Sequence, residues 1–102
     1  MISLITVSKA QIMTAKHIRT RRLMMALTQK GLSMRSGVSL PTLRKFEKTG
    51  IISLESFFKL LIVLDALAQV VGATTPNTLE FSSIDDVLKA NKKKVRQKGS
   101  IT

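Results

Sequence analysis

The chain has 102 residues, no Cys, Trp or Tyr, and 17 Lys and Arg against 6 Asp and Glu, a formal charge of +11 with a single His. The absence of cysteine removes disulfides, thiolate metal sites and thiol nucleophiles together, and the longest apolar runs, Leu23 to Leu27 and Leu60 to Leu64, fall far short of the ~18–20 residues that span a membrane. One small domain is expected, with a core marginal for a free monomer and hence a dimer, carrying a field that favours nucleic acid or acidic protein surfaces.

Residues 1–7, MISLITV, form a short apolar N-terminal extension with no basic n-region, so they read as neither signal nor transit peptide, and the cytoplasm is the expected location. Ser8 is the expected N-cap of a helix through Met25, with Ile12, Ala15, Ile18, Arg22 and Met25 on one stripe. Arg22 is the odd residue on that stripe. Thr28 precedes a second helix, QKGLSMRS, stopped at Gly37 as helices stop at a left-handed residue. Ser39 caps a third helix with Pro41 in its first turn and Leu43 and Phe46 facing inward, and Gly50 ends it. SLESFFKLLIVLDAL predicts either two helices, Leu54 to Lys59 and Leu60 to Leu67, or one continuous helix. Ala68, Gln69, Val70 and Val71 open AQVVGATT, whose adjacent β-branched residues followed by Gly predict a short strand over 68–75. Its partner is either the apolar start 1–7 or the same strand of a second subunit. Residues 76–102 read as a basic C-terminal helix and tail. It is capped at Ser82 or Ser83 with Asp85 and Asp86 in its first turn, and its run from Lys89 to Lys98 reads as a solvated helix end, a DNA-tracking arm or a docking peptide.

The stretch from Thr28 to Glu47, TQKGLSMRSGVSLPTLRKFE, reads as a helix-turn-helix. Ser33 is small where two helices cross, Gly37 allows a positive φ at the turn, and Leu32, Val38, Leu43 and Phe46 supply apolar contacts. Ser36 is polar where an apolar residue would pack better, and Gly31 inside the second helix costs about 1 kcal/mol relative to Ala. An ordinary antiparallel helix hairpin is the competing reading.

From Arg19 to Leu64 the pattern resembles the Cro/C1-type helix-turn-helix family, the lambda-repressor-like DNA-binding domains. The resemblance implies an all-α, five-helix fold over residues 8–67, in which Arg22 pairs with Glu47. It places Thr28 and Gln29 against the phosphate backbone, Ser39, Leu40 and Pro41 toward base edges, and Thr42, Arg44 and Lys45 beside the groove. Leu40 and Pro41 depart from the polar residues common there and imply contact with thymine methyls, leaving Arg44 or Lys45 for guanine; alternatively these two are a solvated face. Lys48 reads as a phosphate contact, and Lys30 and Arg35 as either.

The combination of F-E, LESFFKLLIVLDAL, AQVV and FSSIDDVLKANKKKVRQKG is similar to HipB-like antitoxins, the autorepressors of HipA-type kinase toxins. That resemblance implies a homodimer joined by an intersubunit strand at Ala68 to Val71 and by helices 54–67. It implies binding of an inverted-repeat operator on double-stranded DNA, with half-sites ~34–36 Å apart or a multiple of that. It further implies a HipA-like Ser/Thr kinase toxin as second partner, with or without a further small subunit. The alternative is a stand-alone phage or plasmid repressor, and beside it a protein-bridging or RNA-binding factor of the same fold. No catalytic residue, cofactor, metal site, membrane contact or small-molecule substrate is expected. Asp85 and Asp86 are adjacent and would diverge by ~100° on a helix, and His17 lies among cations with no carboxylate nearby.

Overall fold

In the computed structural model, residues 5–76 are described, and they form five helices, α1 (Val7–Met24), α2 (Gln29–Ser36), α3 (Leu40–Thr49), α4 (Leu54–Val63) and α5 (Leu67–Ala73), with no strand among them. The chain divides into two units, 1–70 and 71–102; of the second, only the end of α5 and the turn at Thr74 and Thr75 lie within the described residues. The expected tail helix with Ser82, Ser83, Asp85 and Asp86, and the basic run 89–98, lie outside them.

Side-chain oxygens start the first four helices. Thr6, Thr28, Ser39 and Ser53 each accept a hydrogen bond from the backbone N–H three residues on, satisfying one of the donors a helix start leaves unpaired. Thr6 therefore replaces the expected Ser8 as the cap of α1, because its hydroxyl meets the Lys9 N–H at 3.2 Å, and Val7 belongs to the helix rather than to an N-terminal extension. The four C-termini end in left-handed residues of two kinds. Gly37 and Gly50 stop α2 and α3 at φ of 79° and 80°. Ala26 and Asp65 do the same for α1 and α4 at φ of 57° and 55°. Their flanking amides, Leu27 N–H to Arg22 O and Ala66 N–H to Leu61 O, close the Schellman pattern.

The core joins Ala15 and Ile18 of α1, Leu32 of α2, Val38 of the turn, Leu43 and Phe46 of α3, and Leu60, Leu61, Leu64 and Ala66 at the end of α4. Phe46 meets Phe57 edge-on, ring centroids 5.9 Å apart. Of the expected α1 stripe, Ala15, Ile18 and Arg22 are buried, whereas Ile12 and Met25 are exposed.

Residues 54–63 form one helix, so no break falls at Lys59–Leu60, and the helix does not run on to Leu67 but ends at the turn Leu64–Ala66. The strand expected over Ala68, Gln69, Val70 and Val71 is corrected: these residues are helical in α5. Leu67 and Val70, three apart, both pack against the core, a spacing that a helix satisfies and a strand cannot. That packing outweighs the few tenths of a kcal/mol by which two adjacent valines disfavour a helix. Val71 is exposed.

Candidate functional site

α2 and α3 are joined by three residues, Gly37, Val38 and Ser39, each with a stated task. Gly37 takes the left-handed conformation with its N–H on Ser33 O at 3.0 Å, Val38 is buried, and Ser39 caps α3. Two serines of α2 hold the turn in place. Ser33 Oγ donates to the Val38 carbonyl at 2.6 Å, and Ser36 Oγ accepts from the Val38 N–H at 3.1 Å. Ser36, which looked misplaced in an apolar position, therefore satisfies an amide of the turn.

Behind α3 lies a buried polar lock. Arg22 Nε donates to Glu47 Oε2 at 2.7 Å and Nη2 to Oε1 at 2.9 Å, a bidentate pair whose side chains are 7% and 5% exposed. Arg22 Nη1 also donates to the Leu27 carbonyl at 2.8 Å, and Gln29 Nε2 donates to Glu47 Oε1 at 3.0 Å. One ion pair thus ties the parts together, the carboxylate joining α1, the first residue of α2 and the last turn of α3, and the guanidinium the following loop. No buried side-chain nitrogen or oxygen among the described residues lacks a partner. The Arg22–Glu47 pair stands where the sequence reading put it; the roles of Gln29 and of the Leu27 carbonyl did not appear there. Gln29 shares an inward stripe with Leu32, Ser33 and Ser36 at spacings of three and four, and that periodicity is the signal that would have placed it.

The opposite side of α3 is open. Pro41, Arg44, Lys45 and Lys48, again three and four apart, are all exposed, and the three cations make no hydrogen bond or ion pair among the described residues. Ser39 and Thr42 are less available. Ser39 Oγ accepts from the Thr42 N–H at 3.3 Å and donates to Thr42 Oγ1 at 2.8 Å, and Leu40 is half-buried. Thr28 is exposed at the start of α2, its Oγ1 accepting from the Gly31 N–H at 2.9 Å. Lys30 and Arg35 are exposed on α2, and His17 on α1.

Of the residues expected at a subunit contact, Gln69 accepts from Arg21 Nη2 at 3.0 Å, Val70 is half-buried and Ala68 exposed. Charge is unevenly shared along the first unit. Residues 5–50 carry ten Lys and Arg against the one acid Glu47, and residues 51–70 carry Lys59 against Glu55 and Asp65. No group of three or more metal-ligating side chains occurs among the described residues, and none of their helices is long and apolar enough to cross a membrane. No protein-family model, curated protein or solved structure matches this chain.

Proposed function

We propose that the chain is a sequence-specific DNA-binding repressor of lambda-repressor-like design, acting as a homodimer on an inverted repeat, with α3 entering the major groove. The observation that carries the reading is the division of α3 into two sides. Leu43, Phe46 and Glu47 fix its rear in the core and the polar lock, and its front presents Arg44, Lys45 and Lys48 free of internal partners. A rigid helix bearing unpaired cations is what phosphate contact and guanine recognition need. Thr28, at the N-terminus of α2, is placed to donate its hydroxyl proton to a phosphate while its oxygen serves the cap. Gln29, committed to Glu47, acts on DNA only by holding α2 in position.

The test is a fluorescence-anisotropy titration with the promoter of the chain's own operon and with a scrambled duplex, over a range of salt. The double variant Arg44→Glu/Lys45→Glu removes operator binding and leaves the melting temperature unchanged, since both side chains point away from the core. Lys48→Gln lowers the slope of log affinity against log salt by about 1 and weakens both duplexes alike. Retained promoter occupancy in the folded double variant overturns the reading.

A HipA-like kinase toxin as second partner rests on the wider resemblance. The helical state of residues 68–71 removes one of its four features and favours a second reading, a stand-alone repressor without a toxin. Co-purification from the native operon decides between them: a kinase elutes with the chain in the first case and none does in the second.

A further inference from the structure

The outward side of α1 carries chemistry that the DNA-binding reading leaves unused, and we propose that it docks an acidic amphipathic helix of a partner protein. Gln11 and Arg22, which meet Gly50 and Glu47 of α3, are eleven residues apart and so lie within ~20° of each other around the α1 axis. α1 therefore turns that side to the rear of α3, and its opposite side faces away from the α3 front. Along this opposite side run Lys9, Met13, Lys16 and Thr20, at spacings of four, three and four. The apolar side chains here are Ile12, Met13, Leu23 and Met24, all exposed, Leu23 by 51% and Met24 by 80%, and none belongs to the core or packs against it. Lys9, Lys16 and Arg19 stand among them, exposed, their side chains making no hydrogen bond or ion pair among the described residues. No acid occurs between residues 5 and 46, so nothing on α1 or α2 neutralises these cations.

Charge selects the occupant, and the alkyl side chains narrow it. The cations require an anionic partner. A nucleic acid backbone satisfies cations but gives four aliphatic side chains nothing to pack on, whereas a helix with carboxylates beside an apolar stripe meets both. Methionine, unbranched and polarizable, adapts to such a stripe. An anionic bilayer fits less well, since the Trp and Phe that anchor a helix in a membrane surface are absent from α1. The side from Lys9 to Met24 is ~22 Å long, about four turns of a partner helix. Toward its C-terminal end His17, Thr20, Arg21 and Met24 line a hollow of about 480 Å³. Arg21 is fixed there by donating Nη2 to Gln69 Oε1 at 3.0 Å. That bond uses one of the five N–H donors of the guanidinium and holds the group in place for a carboxylate.

Fluorescence anisotropy with the full 102-residue chain tests this. The probe is a labelled helical peptide of about 16 residues with Glu along one side and Leu along the other, and its competitors are polyglutamate of equal charge and phosphatidylglycerol vesicles. Saturable binding of the peptide is expected, about tenfold or more tighter than that of polyglutamate. Lys16→Glu/Arg19→Glu weakens it about tenfold or more. Arg44→Glu/Lys45→Glu changes the net charge by the same amount and leaves the Kd within about twofold at physiological salt, where the Debye length is ~8 Å. Met13→Gln/Met24→Gln weakens the peptide about fivefold or more and polyglutamate not at all. Circular dichroism confirms that each variant is folded. The proposal is overturned by the absence of saturable peptide binding, by equal affinity for polyglutamate, by equal weakening in the two charge-reversed variants, or by saturation with vesicles and not with peptide. No sample contains DNA, so failure of the α1 face and failure of the repressor reading appear in separate titrations.

Discussion

α1 is held against α3 at two places about 16 Å apart along α1, and the two are built from opposite chemistry. At Gln11 the contact is steric. Gly50, the left-handed cap of α3, lies so close that a Cβ on it would stand 2.6 Å from the Gln11 carbonyl carbon and 2.7 Å from its oxygen. At Arg22 the contact is polar, a buried bidentate pair with Glu47 that also recruits Leu27 O and Gln29. The left-handed residue near the polar contact is Ala26, not glycine. The difference lies in what can be replaced: a steric contact between backbones has no alternative occupant, whereas a charge pair can be exchanged as a unit.

Gly50→Ala breaks the first contact and is expected to be the most damaging single change in the protein. Overpacking costs ~1–3 kcal/mol and a left-handed Cβ a further ~1–2 kcal/mol. The obstacle is backbone, which no rotamer change can relieve, so the loss sits at the top of that sum, about 5 kcal/mol. For a small domain this is most of the total stability. Denaturant unfolding measures it, and a loss below about 1 kcal/mol would mean that α1 shifts easily, contrary to the close approach.

Glu47→Ala comes next. It leaves the Arg22 guanidinium buried without its counter-charge, which costs about 3–5 kcal/mol, and strands the Gln29 amide as well. The variant unfolds, and under the proposed repressor reading any DNA binding is lost for that reason. Loss of operator binding at an unchanged melting temperature would instead make Glu47 a contact residue. The comparison sharpens with Arg22→Met/Glu47→Leu, which removes both charges. Such exchanges are often neutral or better, so the double variant recovers most of the loss, although the Leu27 carbonyl and Gln29 still forfeit their donor and acceptor. No second substitution rescues Gly50→Ala in this way.

How the two contacts read from sequence follows the same division. Arg22 was legible as a charge out of place on an apolar stripe, and Glu47 as its partner only through the resemblance to the Cro/C1-type helix-turn-helix family. Gly50 was legible as a helix stop, from its place after Lys48 and Thr49, but its approach to Gln11 was not, since nothing local to residues 49–51 names the surface opposite. Of the capping residues, Ser39 was legible as a cap, Thr28 only as the residue before α2 and Ser53 not at all, and the start of α1 misled because Thr6 and Ser8 compete there. The α3 front, Arg44, Lys45 and Lys48, was named through the resemblance, whereas the commitment of Ser39 and Thr42 to each other shows only in the folded chain. Residues 68–71 misled because adjacent valines before glycine look like a strand, and the packing of Leu67 and Val70 onto the core is a tertiary effect that outweighs that preference.

Ala26→Gly probes the polar contact at its weakest point and is expected to stabilise. The alanine holds a left-handed conformation that costs ~1–2 kcal/mol, part of which returns as the greater freedom of glycine in the unfolded chain, leaving a gain of about 0.5–1 kcal/mol. Thermal unfolding reads this as a rise in Tm. A fall would mean that the loop tolerates Ala26 because its Cβ makes a contact worth more than the strain.

Gly31→Ala is the smallest effect and depends on the cap beside it. Alanine gains about 1 kcal/mol of helix propensity, but the new Cβ would stand 3.2 Å from Thr28 Oγ1, the oxygen that accepts from the Gly31 N–H. The two nearly cancel, and the single variant lies within about 0.5 kcal/mol of the parent. Thr28→Ala alone costs about 1 kcal/mol for the lost cap. In that background nothing opposes the new methyl except Leu27 Cδ2 at an ordinary 3.6 Å. Gly31→Ala then delivers its full ~1 kcal/mol, and the double variant returns to the parent's stability. A double-mutant cycle that closes additively would mean that the hydroxyl moves aside without cost, and that residue 31 is glycine for a reason other than the cap.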